Sequence, residues 1–142
     1  MSTRSQVQVI SGESSPDIWL YQHYDGYNLP QRVALGLEAG ASRWLDDEYL
    51  TRIIFSHMLA GTYSDPSPER LAQALLDTTG FGIAAGGEEC QHGDIEVKVI
   101  LDIEQKRAAV DLLDTSPETW MSFTEFIAVY KNVPDIFDRG EG

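Results

Sequence analysis

The chain has 142 residues, 42% of them hydrophobic and 10% aromatic, which places it near the commonest domain size and among globular rather than disordered sequences. Ten Lys and Arg stand against 23 Asp and Glu, a formal net charge of −13; a field of that sign repels phosphate backbones, disfavours direct DNA or RNA binding and favours a basic partner. No run approaches the ~18 apolar residues of a membrane span, residues 1–9 carry no apolar leader segment, and the single cysteine, Cys90, has no second thiol for an internal disulfide, so a cytoplasmic protein is expected.

The charge is unevenly spread. Residues 1–71 sum to −4 and residues 72–142 to −9. Solubility alone would account for much of this; a binding role is the sharper reading.

In chain order, residues 6–10 alternate weakly and read as a short edge strand, followed by a loop over residues 11–16. Residues 17–24 (DIWLYQHY) are rich in β-formers and read as the first long strand. Alternation puts Ile18, Leu20, Gln22 and Tyr24 on one face and Trp19, Tyr21 and His23 on the other. Asp25-Gly26 stops the strand, with Gly26 expected to supply the positive φ of a sharp turn. Pro30 suits the first turn of a helix, which buries Val33, Ala34 and Leu37 and closes at Gly40. A second helix starts at Asp46 or Asp47. Its Leu50, Ile53, Ile54, His57 and Met58 follow the stripe of a core-facing surface, and Gly61 ends it.

Ser67 and Pro68 read as N-cap and first residue of a third helix, buried through Leu71, Ala74 and Leu75 and ended by Gly80. The second half reads as β. Residues 81–85 form a short apolar strand; residues 94–102 alternate with Ile95, Val97 and Val99 inward; residues 104–106 turn the chain; residues 107–113 return it with Ala108, Val110 and Leu112 inward. Ser122 and Glu125 have the spacing of a capping box, with Met121 and Phe126 placed to staple across it. The helix they start buries Phe126, Ile127 and Tyr130, and Pro134 follows its end.

This order predicts an α+β fold: a single antiparallel or mixed sheet of about four or five strands, with about four helices packed largely on one face. One domain over residues 1–142 is expected, with residues 1–5 and 135–142 fraying.

Chemistry-bearing residues gather at two places. His23 and Asp25 lie two apart where a strand meets a turn, and His92 and Asp94 open a later strand. If those strands are neighbours, two imidazoles and two carboxylates converge, a set suited to a divalent metal or to general acid–base catalysis. Glu88 and Glu89 could add oxygen ligands. The plainer reading gives Asp25 to its own turn, His23 to a nearby carbonyl and His92-Gly93 to a loop. Cys90 and His92 lack the partners and spacing of a zinc site, and acidic surroundings work against a Cys90 thiolate. His57 sits on an apolar stripe as a core-edge histidine. Gly80, Gly82, Gly86 and Gly87 come without a dinucleotide fingerprint or a phosphate-loop lysine. Trp19, Tyr21, Tyr24 and Tyr27 lack the adjacent Lys or Arg of a stacking platform for bases.

Four further stretches accompany H-x-D-G-Y at residues 23–27: D-D-E-Y-L at 46–50, T-G-F-G-I at 79–83, H-G-D-I-E at 92–96 and S-F-T-E-F at 122–126. In this ordered series the chain resembles a family of small uncharacterised proteins of phages, prophages and bacteria. It departs from that pattern in one respect, since the proline usual after the motif tyrosine is displaced to Pro30. The resemblance covers most of the chain and implies a shared fold and a mobile-element setting, with no established activity.

Two functions from different classes follow. The first is an acidic, non-enzymatic interaction or accessory protein that binds a basic partner protein and needs no cofactor. The second is a small metal-dependent or acid–base hydrolase using His23, Asp25, His92 and Asp94. A homo-oligomer built on an unpaired N-terminal strand is a third expectation.

Overall fold

The computed structural model describes residues 3–61, 67–112 and 119–136. Alternation in the β-rich segments produces one six-stranded mixed sheet. Its strands are β1 (Ser5–Ile10), β2 (Asp17–Gln22), β3 (Phe81–Gly86), β4 (Val97–Asp102), β5 (Arg107–Leu112) and β6 (Met121–Ser122), in the order β3-β2-β1-β4-β5-β6. Only β1 and β4 run parallel; the other neighbours are antiparallel. The helices are α1 (Leu29–Ala39), α2 (Asp47–Ala60), α3 (Pro68–Leu76) and α4 (Phe123–Tyr130). The α+β class and single sheet agree with the sequence reading, and the strand count is slightly higher, at six.

One sheet face carries the core. Val7, Val9, Leu20, Val99, Leu101 and Ala108 meet Leu29, Val33, Ala34, Leu37, Leu50, Ile54, Met58, Phe123, Phe126 and Tyr130. Each fully buried Leu, Val or Phe contributes roughly 1.5–3 kcal/mol, several times a typical surface pair, so this layer decides the fold. Local signals place its helices. Asp46 Oδ1 accepts from Tyr49 N at the start of α2, and Ser122 and Glu125 form the expected capping box at the start of α4.

Several details differ from the sequence reading. β1 is not an edge strand: it is paired by β2 on one side and β4 on the other. Its Val7 and Val9 enter the core while Gln6 is buried on the opposite face. The N-terminal strand therefore has no free edge to offer a second copy. Among the described side chains of α3 only Ala74 is buried; Leu75 is 61% and Leu76 83% exposed, because the helix packs mainly on α2. Gly80 does not cap α3, which ends at Leu76, but turns the chain into β3 at φ +97°. In the Asp25-Gly26 turn the positive φ falls on Asp25, at 56°. Gly26 is needed for a different reason, since a Cβ there would lie 2.6 Å from Thr3 O. The predicted end of the return strand at residue 113 lies outside the described residues, as do residues 1–2 and 137–142 of the segments expected to fray, 1–5 and 135–142; of the rest, Ser5 begins β1, and Thr3, Arg4 and Ile136 make backbone hydrogen bonds to other segments. No helix among the described residues is long and apolar enough to cross a membrane.

Candidate functional site

The two loops that hold the candidate residues meet. β2 carries Trp19 and Tyr21 on the face away from the helices, and the segment from Gly87 to Glu96 folds across that same face. Gln6 in β1 fastens it: the buried Gln6 amide donates from Nε2 to Cys90 O at 3.0 Å and accepts at Oε1 from His92 N at 2.9 Å. Further along, Lys98 Nζ donates to Gln91 Oε1 at 2.9 Å. So anchored, the His92 ring stacks on Tyr21, with centroids 4.0 Å apart and planes 10° from parallel.

His23 reaches the same tyrosine from the strand end. Tyr21 Oη lies 2.8 Å from His23 Nδ1. Burial raises the Tyr21 pKa above its ordinary 10.0, opposed by the charge of Arg4 and reinforced by Tyr24. A hydroxyl both donates and accepts, so this bond joins the phenol to either ring tautomer of His23. The His23 ring also meets Tyr24 edge-on at 4.8 Å.

The carboxylates are placed differently. Asp94 pairs with Arg4, the residue whose charge acts on Tyr21, so it lies one step removed from the histidines. Asp25 occupies the left-handed turn, its carbonyl accepting from Asn28 N and from Gln22 Nε2, and its charge acts on Arg32 of α1. The structure thus gathers His23 and His92 around Tyr21, holds Asp94 beyond Arg4, and turns Asp25 toward the helix side. Among the described residues, these four included, no three His, Cys, Asp or Glu side chains are grouped to hold a metal. Glu89 bonds the backbone, accepting from Gly87 N at 3.2 Å.

The H-x-D-G-Y segment also works as a structural corner. Gln22 Nε2 donates to Tyr24 O at 2.6 Å, Gly26 N donates to Thr3 O at 3.0 Å and Ile136 N to Tyr27 O at 3.1 Å, while Tyr27 Oη donates to Glu96 Oε2 at 3.1 Å. Thr3, Ile136 and the H-G-D-I-E segment are tied there. Sequence reading missed Tyr21 and Gln6 as the residues that bring the loops together. Part of the signal was present: Tyr21 shares a strand face with His23, and Gln6 and Gln8 alternate with Val7 and Val9, marking a polar sheet face.

A second feature lies on the opposite, helix-covered face of the sheet, at its β3 border. Two hollows, of about 410 and 340 Å³, run between α2 and β3 and share Phe55 and Ile83 in their walls. The first adds Ile18, Leu20, Asp47, Glu48 and Arg52; the second adds Leu59, Ala74 and Asp77. Ile83 is 63% exposed. No protein-family model matches the chain, and neither the curated proteins nor the solved structures compared with it give a match.

Proposed function

We propose that the chain is an acidic, non-catalytic accessory protein, of the phage or prophage kind its motif series resembles, that acts by binding a basic surface of another protein. The observation that carries this reading is the net charge of −13, concentrated in the second half of the chain. Support comes from the placement of acids around exposed apolar surface. Glu48, Asp77, Glu88 and Glu89 are exposed, and Asp47, Glu48 and Asp77 line the α2–β3 hollows, with Arg52 in the wall of the first. Such a field speeds encounter with a basic partner and weakens steeply with salt. The test is capture of a host protein on the immobilised chain, followed by titration of the identified partner at low and high salt. The expected result is a saturable complex with a basic protein that weakens as the Debye length shrinks from ~10 Å at 0.1 M to ~3 Å at 1 M. Absence of any partner at low salt refutes it.

A second reading, an acid–base hydrolase, draws on the Tyr21–His23 hydrogen bond, which joins a phenol to an imidazole, the side chain most used for general acid–base work. Turnover of p-nitrophenyl esters or phosphoesters that disappears in His23→Ala would support it, and no turnover in the wild-type chain would end it.

A further inference from the structure

β3 is the outermost strand, and among the described residues nothing pairs with its outer side. The register shows which groups are left open. β2 and β3 are antiparallel with Gln22 opposite Phe81 and Tyr21 opposite Gly82, and His23 N donates to Gly80 O at 2.9 Å. In an antiparallel ladder the residues that exchange bonds alternate with those that do not. Gly82, Ala84 and Gly86, in step with Gly80, turn their backbone groups toward β2. Phe81, Ile83 and Ala85 turn theirs outward, leaving three N–H and three C=O groups in a row.

The strand carries none of the usual guards of an edge. Its sequence, FGIAAG, has no Lys, no Pro and no inward charge. Its outward-bonding residues are also those on the helix side of the sheet: Phe81 packs against the core cluster, and Ile83 borders both hollows. The carboxylates stand at the two ends of this line. Asp77 lies beyond Phe81, Asp47 and Glu48 stand across the first hollow, and Glu88 and Glu89 follow the Gly86 end.

From this juxtaposition we infer that β3 takes up an extended segment of a basic protein as a seventh strand. An apolar side chain sits opposite Ile83, over Phe55, and a Lys or Arg lies two residues to either side. Alternate residues of a strand are about 6.8 Å apart on one face. The apolar residue therefore enters the point where the hollows meet, while its flanking cations reach Asp77 at one end and Asp47 and Glu48 at the other. Main-chain bonds supply affinity and the alternate side chains supply selectivity, as in other cases of strand addition. The inference rests on the acidic-binding reading and specifies the site at which that binding occurs.

The test uses a labelled peptide, Thr-Lys-Thr-Leu-Thr-Lys-Thr with blocked ends, its Glu-for-Lys counterpart, and the full chain as wild type, Ile83→Lys and Ala85→Pro. Both substitutions fall on the exposed edge; the proline removes an outward N–H without touching the β2 ladder. Melting curves establish that each variant folds, and Ile83→Lys decides if Ala85→Pro does not. The expected result by fluorescence anisotropy is saturable binding of the Lys peptide, at least tenfold weaker binding of the Glu peptide, and at least tenfold loss in Ile83→Lys. Equal binding of the two peptides, no binding of the Lys peptide, or undiminished binding by the variants overturns the inference. If the identified basic partner still binds Ile83→Lys as tightly as wild type, strand addition fails while the acidic-binding reading stands. A wild-type dimer in sedimentation that Ile83→Lys dissolves would assign the edge to a second copy and overturn the inference as well.

Discussion

Replacing Gln6 by Leu tests how the candidate site is assembled. The Gln6 side chain is 1% exposed and makes two hydrogen bonds to the backbone of the segment that carries His92, at 3.0 and 2.9 Å. Leucine fills a similar volume but can make neither. Each lost bond costs roughly 0.5–1.5 kcal/mol net, and Cys90 O and His92 N would each add about 1–3 kcal/mol if they stayed buried without partners. The segment can limit that cost by lifting into water, at the expense of the Tyr21–His92 stack, worth about 0.5–1.5 kcal/mol for an aromatic pair. The expected loss is therefore about 2–4 kcal/mol in urea unfolding, with faster hydrogen exchange at the His92 amide. Gln6→Glu sharpens the test. At neutral pH it sets a buried carboxylate against Cys90 O, which raises its folded pKa above the unfolded value. Relative to wild type, this variant should be least destabilised at acid pH and lose stability as pH rises through that raised value. A Gln6→Leu cost below about 0.5 kcal/mol, with His92 exchange unchanged, would refute the clamp, since two buried backbone bonds cannot be so cheap.

Ser122→Ala removes the side-chain acceptor for Glu125 N and should cost about 1 kcal/mol, as lost N-caps do; a urea midpoint equal to wild type would count against the cap. Gly36→Val should destabilise by roughly 1–3 kcal/mol through overpacking, because a Cβ at residue 36 already lies 3.0 Å from Ile54 Cα; a variant at least as stable as wild type would show that α1 and α2 can part freely. Burial, and then the charge of Arg32, holds His57 below its ordinary pKa of 6.5. The unfolded chain binds that proton more readily, so the contribution is complete above about pH 6.5 and is lost as pH falls through the lower folded value. His57→Gln should therefore lose less stability than wild type on acidification, and identical pH slopes in the two proteins would contradict this.

What the sequence made legible was local. The capping box at Ser122 and the stripe of α2 need only neighbours within a few residues; the box stands as read, and Leu50, Ile54 and Met58 of the stripe are buried while Ile53 and His57 sit at its half-buried margin. The status of β1 was not legible, because edge and centre differ only in what pairs alongside, and its partner β4 lies some ninety residues away. Phe123 escaped because it falls inside the capping pattern, where polar neighbours hid a side chain that enters the core. Leu75 was assigned to a buried face by spacing alone, yet α3 packs mainly on α2, so Leu75 and Leu76 stay exposed while Ala74 is buried. At the candidate site the alternation put Tyr21 and His23 on one face correctly. What it could not show was that the loop carrying His92 folds over that face, since this depends on Gln6, whose role appears only when β1 is central.

The two borders of the sheet bear on how an acidic chain can keep a bare edge. On one border the two-residue β6 pairs with Arg107 and Ala108 of β5 and runs straight into α4. β3 offers six residues without a Lys or Pro, and a strand of that kind ordinarily invites pairing with its own copy. Here self-pairing would bring Asp47, Glu48 and Asp77 of two copies together, each chain already at −13, and like charges brought face to face oppose docking. A basic segment meets the same carboxylates as attraction. One arrangement of charge thus guards the edge against its own kind and selects the partner proposed for it, which is why adding salt should weaken binding of the Lys peptide while easing association of the chain with itself.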